Sequence, residues 1–397
     1  MTKKVYIKSF GCQMNVRDSE VICGLLRTMN YELLTNPEDA DVIIFNTCSV
    51  RQHAEDKVWS EIGRFAKRKP KTLPGRQAGE NRKPIIGLIG CMAQNYKEQI
   101  FQRAPEVDFV VGPSDIHKIP EIISKLSAVS CQPSAKNLYE TKIWETDGDI
   151  RPEEIYHTGF YEDKKHAYVV ISEGCSNFCS YCVVPYVRGL LRHRNSQDII
   201  KEIEKAIGIG IASFTLLGQN VNAYQSSAVS SQPSAGFVQL LRMVNNIKGL
   251  KEFSFITSHP KDASAELFKA MQELDKLKKC LHLPAQSGSD SILKLMNRGY
   301  SRKSYLGLAE NYRKIVKDAV LTTDIIVGFP GESESDFQDS YDLVSQIQFD
   351  SAYVFKYSPR PNTEAAKLND DVPKQEKERR HKLILDLQKE ISRKKKC

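Results

Sequence analysis

The sequence predicts an α/β protein in two parts, a parallel-sheet domain followed by a barrel of further strands and helices. Short apolar runs alternate with helix-periodic segments along nearly all of the 397 residues. This alternation is typical of parallel strands joined by helical crossovers. A chain of this length exceeds a single small core, so two or three domains are expected. The composition, with 41% hydrophobic and 27% charged residues, is that of a globular protein.

The first part, residues 1–125, contains four predicted strands, at 4–10, 41–47, 84–90 and 107–112. Helical spacing follows the first two strands, and a further helical stretch lies near 96–101. The second and third strands are almost continuously apolar, as expected where a parallel strand is buried on both faces. These elements predict a Rossmann- or flavodoxin-like sheet. Residues 68–84 are rich in Pro, Gly and charge and predict an exposed loop.

The second part, residues 161–372, repeats the strand and helix alternation about six times. Its predicted strands are 167–172, 213–218, 253–257, 280–285, 321–329 and 351–358. Six βα units predict a TIM-type barrel, full or partial, with its site at the C-terminal ends of the strands. Residues 373–397 form a Lys- and Arg-rich segment with helical periodicity.

Two nearly identical peptides interrupt this pattern. SAVSCQPSA (127–135) and SAVSSQPSA (227–235) differ at one position, but the sequences that flank them are not alike. We therefore interpret them as short insertions in surface loops, where added residues cost little. The first peptide lies in a predicted linker over 126–160.

Composition and charge exclude several classes of protein. No run approaches the roughly 18 apolar residues that span a bilayer, and the start lacks an apolar segment of signal-peptide length. A cytoplasmic protein without a membrane partner is expected, and its ten cysteines should be reduced. The net charge of +8 is compatible with a polyanionic partner, although charge alone favours an ordinary solvated surface.

Three cysteines lie within eight residues in the stretch CSNFCSYC, which directly follows the first predicted barrel strand. Cys175, Cys179 and Cys182 can bind three irons of a [4Fe–4S] cluster and leave the fourth iron open, because thiolate is the ligand that such clusters require. A structural zinc site would need four ligands, and no nearby His or Cys completes the usual spacing. The stretch therefore predicts an iron–sulfur cluster.

Three further cysteines each follow a predicted strand of the first domain. Cys12, Cys48 and Cys91 should meet at one edge of the sheet, because parallel strands end at the same edge. They are candidates for a second metal site, although a small buried residue that merely ends a strand remains an alternative for each. The remaining cysteines do not share this placement and are interpreted as non-ligands: Cys23, Cys131, Cys280 and Cys397.

The CxxxCxxC loop resembles that of the radical S-adenosylmethionine (radical SAM) superfamily. The resemblance implies that the amino and carboxylate groups of S-adenosylmethionine chelate the open iron. It also implies that an electron from the cluster then cleaves the cofactor to a 5′-deoxyadenosyl radical. Tyr181 matches the aromatic residue that the superfamily places near the adenine, and ordinary packing beside the cluster is compatible with that role.

The whole chain, apart from the two repeated peptides, resembles the methylthiotransferases, and within them the tRNA-2-methylthio-N6-dimethylallyladenosine synthases. The stretches that carry the resemblance are SFGCQMNVRDSE (9–20), NTCSVRQHAEDKV (46–58), IGCMAQ (89–94), LLGQNVNAY (216–224), LHLPAQSGSD (281–290), MNRGY (296–300), TDIIVGFPGE (323–332) and YSPRPNT (357–363). The resemblance implies a methylthiotransferase domain at 1–125 with an auxiliary [4Fe–4S] cluster on Cys12, Cys48 and Cys91, and a radical SAM core at 161–372.

The implied reaction is methylthiolation of carbon-2 of N6-isopentenyladenosine beside the anticodon of tRNA. That C–H bond is unactivated, so a radical from a cofactor is needed to open it. The auxiliary cluster would carry the sulfur, which one S-adenosylmethionine methylates, while a second molecule supplies the radical. The base would leave its stack to reach the site.

The resemblance also implies an S-adenosylmethionine pocket at the strand ends. Its predicted residues are Gly218, Gln219, Asn220, Gln286, Ser287 and Asp324. Alternatives remain for two of them, since Gly218 also suits a tight turn and Ser287 a helix N-cap.

The partners expected by resemblance are tRNA carrying isopentenyladenosine, an electron donor such as flavodoxin or ferredoxin, and the iron–sulfur assembly machinery, with the chain itself a monomer. Relatives end in a small β-barrel RNA-binding (TRAM) domain, which we expect to be absent here, where the basic helix 373–397 stands instead. Relatives commonly follow the stretch VVPYVRG (183–189) with a Glu two places on, where this chain has Leu190 and Leu191, so the substrate contacts of this loop should differ. Asn362 replaces a usual Gly.

Two alternative functions stay open at this stage. A related methylthiotransferase could act on threonylcarbamoyladenosine in tRNA or on an aspartate of a ribosomal protein, although the GCQMN stretch (11–15) favours the isopentenyladenosine branch. The chain could also be an inactive, truncated iron–sulfur protein, although all six cysteines of the two trios are present.

Overall fold

The computed structural model describes residues 2–49, 52–66, 83–129, 142–148, 150–225 and 236–395. The chain forms two compact units. The N-terminal unit comprises Met1–Glu162 together with Tyr186–Gly189, and the C-terminal unit comprises Asp163–Pro185 and Leu190–Cys397. The loop predicted at 68–84 and the two repeated peptides lie almost entirely outside the described residues.

The N-terminal unit contains a six-stranded parallel sheet. Its strands are β1 (Lys4–Phe10), β2 (Glu32–Leu34), β3 (Val42–Thr47), β4 (Ile85–Gly90), β5 (Phe109–Val111) and β6 (Ile143–Glu145). They lie in the order β2-β1-β3-β4-β5-β6. The four predicted strands and the parallel sheet are confirmed. The sheet continues past residue 125, because the segment 126–160 predicted as a linker supplies its sixth strand.

Five helices accompany this sheet in the described residues. They are α1 (Gln13–Thr28), α2 (Gln52–Ala66), α3 (Cys91–Tyr96), α4 (Gln99–Arg103) and α5 (Ile119–Val129). Every residue of β3 is buried, as its apolar sequence predicts. Val58 and Ile62 of α2 pack with Phe45 and Leu88 in one core cluster. The helical face predicted from residue spacing is therefore the face that covers the sheet.

The C-terminal unit contains a partial barrel. Its strands are β7 (His166–Val170), β8 (Ser172–Glu173), β9 (Arg192–His193), β10 (Ser213–Leu217), β11 (Glu252–Phe255), β12 (Cys280–His282), β13 (Val320–Val327) and β14 (Ser351–Lys356). Two parallel sheets, β7-β10-β11 and β12-β13-β14, continue into each other through a parallel bridge from Phe253 to Leu277. Within the described residues neither β7 nor β14 has a second neighbouring strand, so the row of six is open.

Helices pack along this row of strands. They are α7 (Ser196–Gly208), α8 (Phe237–Asn245), α9 (Ala265–Glu273), α10 (Asp290–Leu295), α11 (Arg302–Ile315), α12 (Glu334–Ile347) and α13 (Lys374–Lys394), while the short α6 (Val184–Arg188) lies in the loop after the cysteines. Serine side chains cap several of them, with full capping boxes at Ser301 and Ser333. No helix in the described ranges is long and apolar enough to cross a membrane.

The basic helix predicted at 373–397 is α13, and it packs on the barrel. Ile384 and Ile391 are buried, and His381 Nε2 lies 3.1 Å from the carbonyl oxygen of Val354 in β14. Arg380 forms a buried ion pair with Glu332 at 2.7 Å. Several other basic residues of α13 are likewise held in ion pairs, as expected of an amphipathic structural helix.

Removal of the Glu332 carboxylate should destabilise the C-terminal unit. In the intact chain the Gly328 N–H donates to the Glu332 carboxylate at 2.6 Å. Glu332→Ala removes this acceptor and also one partner of the buried Arg380. Loss of one member of a buried pair costs about 3 kcal/mol. Denaturant unfolding should show this loss, whereas Glu378→Ala, which removes an exposed partner of Lys356, should cost less than about 1 kcal/mol. Equal stability of the two variants would contradict a stabilising role for the Arg380–Glu332 ion pair.

Candidate functional site

Cys12, Cys48 and Cys91 lie at one edge of the N-terminal sheet. Phe10, Thr47 and Gly90 are register partners in β1, β3 and β4, so these three strands end at the same level. Cys48 and Cys91 directly follow their strands, and Cys12 follows two residues after Phe10. The Cys48 N–H donates to the Phe10 carbonyl at 2.9 Å, which extends the ladder to the cysteine itself.

Two glycines allow these strand ends to approach closely. A Cβ on Gly11 would lie 2.4 Å from Cys48 Cβ, and a Cβ on Gly90 would lie 2.4 Å from Asn46 Oδ1. Gly90 also has a φ of 90°, which other residues rarely adopt. Side chains at these positions would therefore push the three cysteine-bearing loops apart.

A buried amide network fixes the same loops. Asn15 Nδ2 donates to Asn46 Oδ1 at 2.8 Å, and Asn46 Nδ2 donates back to the Asn15 carbonyl at 2.8 Å and to Ser19 Oγ at 3.0 Å. Both asparagines are fully buried. Because a buried amide must find partners, this reciprocal pair ties the start of α1 to the end of β3.

The electrostatic surroundings favour the thiolate form of Cys12. The pKa of Cys12 is lowered to about 6, and a hydrogen bond with Cys48 is the largest cause. The Arg188 guanidinium and the N–H groups of Asn15 and Met14 lower this pKa further, whereas burial raises it. Cys12 is the N-cap of α1, so Met14 and Asn15, whose N–H groups lower its pKa, belong to the first turn of that helix. A thiolate is the form that binds metal.

Cys91 lies within the same electrostatic group. Burial raises the pKa of Cys91, and a thiolate at Cys12 raises it further, while Arg188 opposes both effects. The hydrogen bond between Cys12 and Cys48 and the common level at which β1, β3 and β4 end place the three cysteines at one edge of the sheet. The structure thus brings together the three residues that the sequence separates by 36 and 43 positions.

Arg188 connects this trio to a buried chain of charges. Its Nε donates to Cys91 Sγ at 3.2 Å, and its Nη2 contacts Asp18 Oδ2 at 2.7 Å. The other oxygen of Asp18 contacts Arg151 Nη1 at 2.7 Å, and Arg151 Nε donates to the Pro113 carbonyl at 3.1 Å. Burial works against the charged form of Asp18, but the two arginines outweigh it and lower the pKa of Asp18. A positive group is therefore held firmly against a cysteine sulfur.

The second trio lies on the loop after β8 in the C-terminal unit. Gly174 and Phe178 have φ values of 73° and 46°, and the Cys182 N–H donates to the Cys179 carbonyl at 2.9 Å, so the loop is tightly coiled. Ser180 anchors it, because its N–H donates to the Met296 carbonyl at 3.0 Å and its carbonyl accepts from Ala365 N–H at 2.7 Å.

The segment MNRGY places a second arginine against this loop. Arg298 Nη1 donates to Cys179 Sγ at 3.2 Å and to the Tyr181 hydroxyl at 3.3 Å. Its Nη2 donates to the Pro284 carbonyl at 3.0 Å and its Nε to the Tyr300 hydroxyl at 2.9 Å, so every guanidinium nitrogen is used. Arg298 is buried, which makes its charge strongly felt by the neighbouring sulfur.

The sulfurs of this trio also act on one another. Burial raises the pKa of Cys182 to about 12, and thiolates at Cys179 and Cys175 raise it further. Burial likewise raises the pKa of Cys175, with Cys179 adding to it and Lys261 and Arg298 opposing it. Three thiols this close repel as anions unless a cation joins them.

The residues present fit iron–sulfur clusters better than a single metal ion. In the part of the chain that the structure describes, no three His, Cys, Asp or Glu side chains converge on one ion position. A [4Fe–4S] cluster instead takes one thiolate on each iron, so its ligands stand farther apart. Each trio supplies three soft donors and one buried arginine, which suits an anionic cluster.

The ends of β8 and β10 offer buried polar atoms that the described residues do not satisfy. They are Ser172 Oγ, Gln219 Oε1 and Asn220 Oδ1. A Cβ on Gly218 would lie 2.4 Å from Ser172 Oγ, so glycine keeps this corner open. Buried unsatisfied groups of this kind call for a bound ligand or water. The three residues predicted here, Gly218, Gln219 and Asn220, are therefore suited to a polar cofactor.

The other predicted pocket residues differ among themselves. Gln286 is buried with a φ of 67°, and its backbone pairs with Asp324 and Ile326. The Ser287 hydroxyl instead lies 3.2 Å from Ser340 Oγ of α12 and accepts from the Ser289 N–H at 3.2 Å, a structural role. Asp324 is partly exposed, and its carboxylate lies 3.4 Å from His282 Nε2.

Sequence reasoning missed the arginines. Arg298 stands in MNRGY (296–300), a stretch that carried the resemblance, whereas Arg188 stands in VVPYVRG (183–189), which did not; neither arginine was assigned a role. Each contacts a cysteine more than 90 positions away, and no local pattern reports such a contact. The Leu191 N–H donates to Ser176 Oγ at 3.1 Å, so that loop is held to the cysteines through its backbone, whatever its side chain.

Solved structures of similar fold are radical S-adenosylmethionine enzymes. The methyltransferase TsrM from Kitasatospora setae, solved with tryptophan and an S-adenosylmethionine analogue, is 12% identical, with a TM-score of 0.62 over 92% of this chain and 75% of that one. The cobalamin-dependent radical enzyme OxsB is 11% identical, with a TM-score of 0.58 over 99% of this chain and 56% of that one. At these identities the likeness concerns the fold alone.

Family comparisons cover both units. Residues 4–112 match the uncharacterized protein family UPF0004, and residues 169–344 match the radical SAM superfamily. The tRNA-2-methylthio-N(6)-dimethylallyladenosine synthase of Caldicellulosiruptor saccharolyticus is 42% identical over 99% of this chain and 79% of its own length, and that of Clostridium novyi is 42% identical over 98% and 82%. The chain therefore belongs to the family of tRNA-2-methylthio-N(6)-dimethylallyladenosine synthases.

Proposed function

We propose that this chain transfers a methylthio group to carbon-2 of N6-isopentenyladenosine in tRNA, as a radical SAM methylthiotransferase. The observation that carries the proposal is the similarity to synthases of that name over nearly the full chain, in a protein with two separate cysteine trios. The names of these relatives favour isopentenyladenosine over threonylcarbamoyladenosine or a ribosomal aspartate.

Cys12, Cys48 and Cys91 would hold an auxiliary [4Fe–4S] cluster, and Cys175, Cys179 and Cys182 would hold the cluster that binds S-adenosylmethionine. When bound, these groups supply the sulfur, the methyl group and the radical chemistry that protein side chains cannot. Tyr181, Gly218, Gln219, Asn220, Gln286, Ser287 and Asp324 remain the proposed lining of the S-adenosylmethionine pocket. The support for this lining is uneven, since the Ser287 hydroxyl is bonded to α12.

The chain's own residues hold the cysteine ligands and balance their charge. Arg188, anchored by Asp18, donates to Cys91, and Arg298 donates to Cys179. Both guanidinium groups are buried, so each partly neutralises the negative charge that a thiolate cluster brings into a dry site. Tyr300 holds Arg298 and donates to the Ala285 carbonyl at 2.7 Å, which orients the arginine toward the cysteine loop.

The partners follow from the reaction class. The substrate is tRNA that carries isopentenyladenosine, and a low-potential donor such as flavodoxin or ferredoxin would deliver the electrons. The iron–sulfur assembly machinery would load the clusters. We place the reaction in the cytoplasm and propose a monomeric enzyme.

The activity is tested with the anaerobically reconstituted enzyme on isopentenylated tRNA, with S-adenosylmethionine and a reductant. Mass spectrometry of the digested tRNA should detect 2-methylthio-N6-isopentenyladenosine. In parallel, tRNA carrying threonylcarbamoyladenosine should remain unmodified. Absence of product from a chain loaded with both clusters would reject the proposed reaction.

Loss of one ligand should remove one cluster. The reconstituted parent should hold about eight irons, and Cys91→Ser should hold about four, because the remaining two thiolates no longer close around a cluster. Cys179→Ser should give the same count from the other trio. The matched control is Cys23→Ser, a half-buried cysteine within α1 that should retain about eight. Eight irons in Cys91→Ser would contradict the assignment.

Arg298 should raise the reduction potential of the cluster in the C-terminal unit. Its charge and its N–H donation to Cys179 favour the reduced, more negative state, so Arg298→Met should lower the potential by about 60 mV, the equivalent of about 1.4 kcal/mol for one electron. A redox titration followed by electron paramagnetic resonance measures this shift. Arg302→Met, which loses only an ion pair to Asp339, should leave the potential unchanged. An unchanged potential in Arg298→Met would exclude this role.

A further inference from the structure

The loop that follows β11 carries two buried polar side chains that no predicted role explains. Ser258 and His259 are 4% and 5% exposed. Ser258 Oγ and His259 Nε2 are both without a hydrogen-bond partner among the residues that the structure describes. Thr257, directly before them, has a φ of 71°, so the chain turns sharply here. Two adjacent orphaned groups at a strand's C-terminal end indicate a ligand site.

The hydrogen bonds of His259 fix which ring nitrogen carries the proton. Nδ1 accepts from the Lys261 N–H at 3.2 Å, so the proton of the neutral ring lies on Nε2. The backbone of His259 is held on both sides by Asn222, at 2.8 Å and 3.0 Å. The ring packs edge-on against Tyr300, with centroids 5.8 Å apart. His259 therefore presents a rigid N–H donor.

This donor lies in positively charged surroundings close to the cysteine loop. Burial, followed by the charges of Arg298 and Lys261, lowers the pKa of His259 to about 2, so the ring stays neutral. Tyr300, against which the His259 ring packs, accepts from Arg298 Nε at 2.9 Å, and Arg298 Nη1 donates to Cys179 at 3.2 Å. A neutral donor flanked by cations suits an anionic group of a ligand, and these contacts place that group beside the cysteine loop.

The neighbouring strand end has the opposite character. Gln219 Oε1 and Asn220 Oδ1 are buried acceptors without partners in the described ranges, and Asn220 Nδ2 donates to Asp262 at 2.7 Å. Donors at the end of β11 and acceptors at the end of β10 are complementary to a zwitterionic amino acid group. A neutral adenine base has no such separation of charge.

We infer that His259 Nε2–H and the Ser258 hydroxyl donate hydrogen bonds to the carboxylate of S-adenosylmethionine. This inference rests on the proposed function, and it assigns to the cofactor two residues outside the predicted pocket. Gln219 and Asn220 would accept from the ammonium group of the same molecule. The backbone bonds to Asn222 hold the donor in place before the cofactor arrives, which limits the entropy lost on binding.

The test measures the dissociation constant of S-adenosylmethionine by equilibrium dialysis with the reconstituted enzyme. His259→Phe should weaken binding about 10- to 100-fold, the range for loss of a hydrogen bond to a charged group. His259→Gln keeps an N–H donor and should recover most of the affinity. His381→Phe, on α13, is the matched control and should bind as the parent does. Iron content and thermal unfolding check that each variant is folded and loaded.

Two results would overturn the inference: parent-like affinity in His259→Phe, or an equal loss in His259→Phe and His259→Gln. If His259→Phe fails to fold, Ser258→Ala provides the test, because it removes only one small hydroxyl group. It should still weaken the binding of S-adenosylmethionine. Unchanged affinity in Ser258→Ala would reject the inference. A loaded parent that binds no S-adenosylmethionine would reject the proposed function itself. Parent binding that is insensitive to these substitutions would reject only the assignment made here.

Discussion

Two N–H donations from buried arginines to cysteine sulfur are the interactions on which both candidate sites depend. Three thiolates in a dry environment repel one another, and burial alone favours their protonated forms. Arg188 at Cys91 and Arg298 at Cys179 supply permanent positive charge at 3.2 Å in each case. Because arginine does not lose its proton in proteins, this compensation does not vary with pH.

A buried arginine itself needs partners, and that requirement reaches well beyond each cysteine trio. In the N-terminal unit, Asp18 balances Arg188, and Arg151 then balances the burial of Asp18. In the C-terminal unit, carbonyl and hydroxyl oxygens of Pro284 and Tyr300 take this place without a carboxylate. Arg298 therefore keeps its net charge for the cysteine loop, whereas Arg188 shares its charge with Asp18. The arginine–cysteine contact therefore places more net positive charge beside the sulfur in the C-terminal unit than in the N-terminal unit.

Because parallel strands end at the same edge of a sheet, the meeting of Cys12, Cys48 and Cys91 could be predicted from the sequence. The strands near Cys12, Cys48 and Cys91 were found from apolar runs, and parallel pairing then requires their ends to meet, as the register of Phe10, Thr47 and Gly90 provides. The three-residue strands β2 and β6 were missed, because so few residues give no period and neither strand belongs to a longer apolar run, as the equally short β5 and β12 do. The arginines were missed for another reason: their contacts span about a hundred positions, and a single sequence records nothing of such pairs.

Ser287 and His259 show where reasoning from strand ends reaches its limit. Both residues follow barrel strands, yet the Ser287 hydroxyl is bonded to Ser340 and Ser289, while the His259 Nε2 has no partner in the described part of the chain. Ser287 was a candidate because it lies at the end of a predicted strand. Only the hydrogen bonds seen in the structure distinguish a side chain that already has partners from one that could bind a ligand. A protein that leaves several donors and acceptors unpaired at one barrel end gives up folding stability there. A bound ligand would restore these hydrogen bonds. Because the side chains are already fixed in place, little conformational entropy would be lost when the ligand binds.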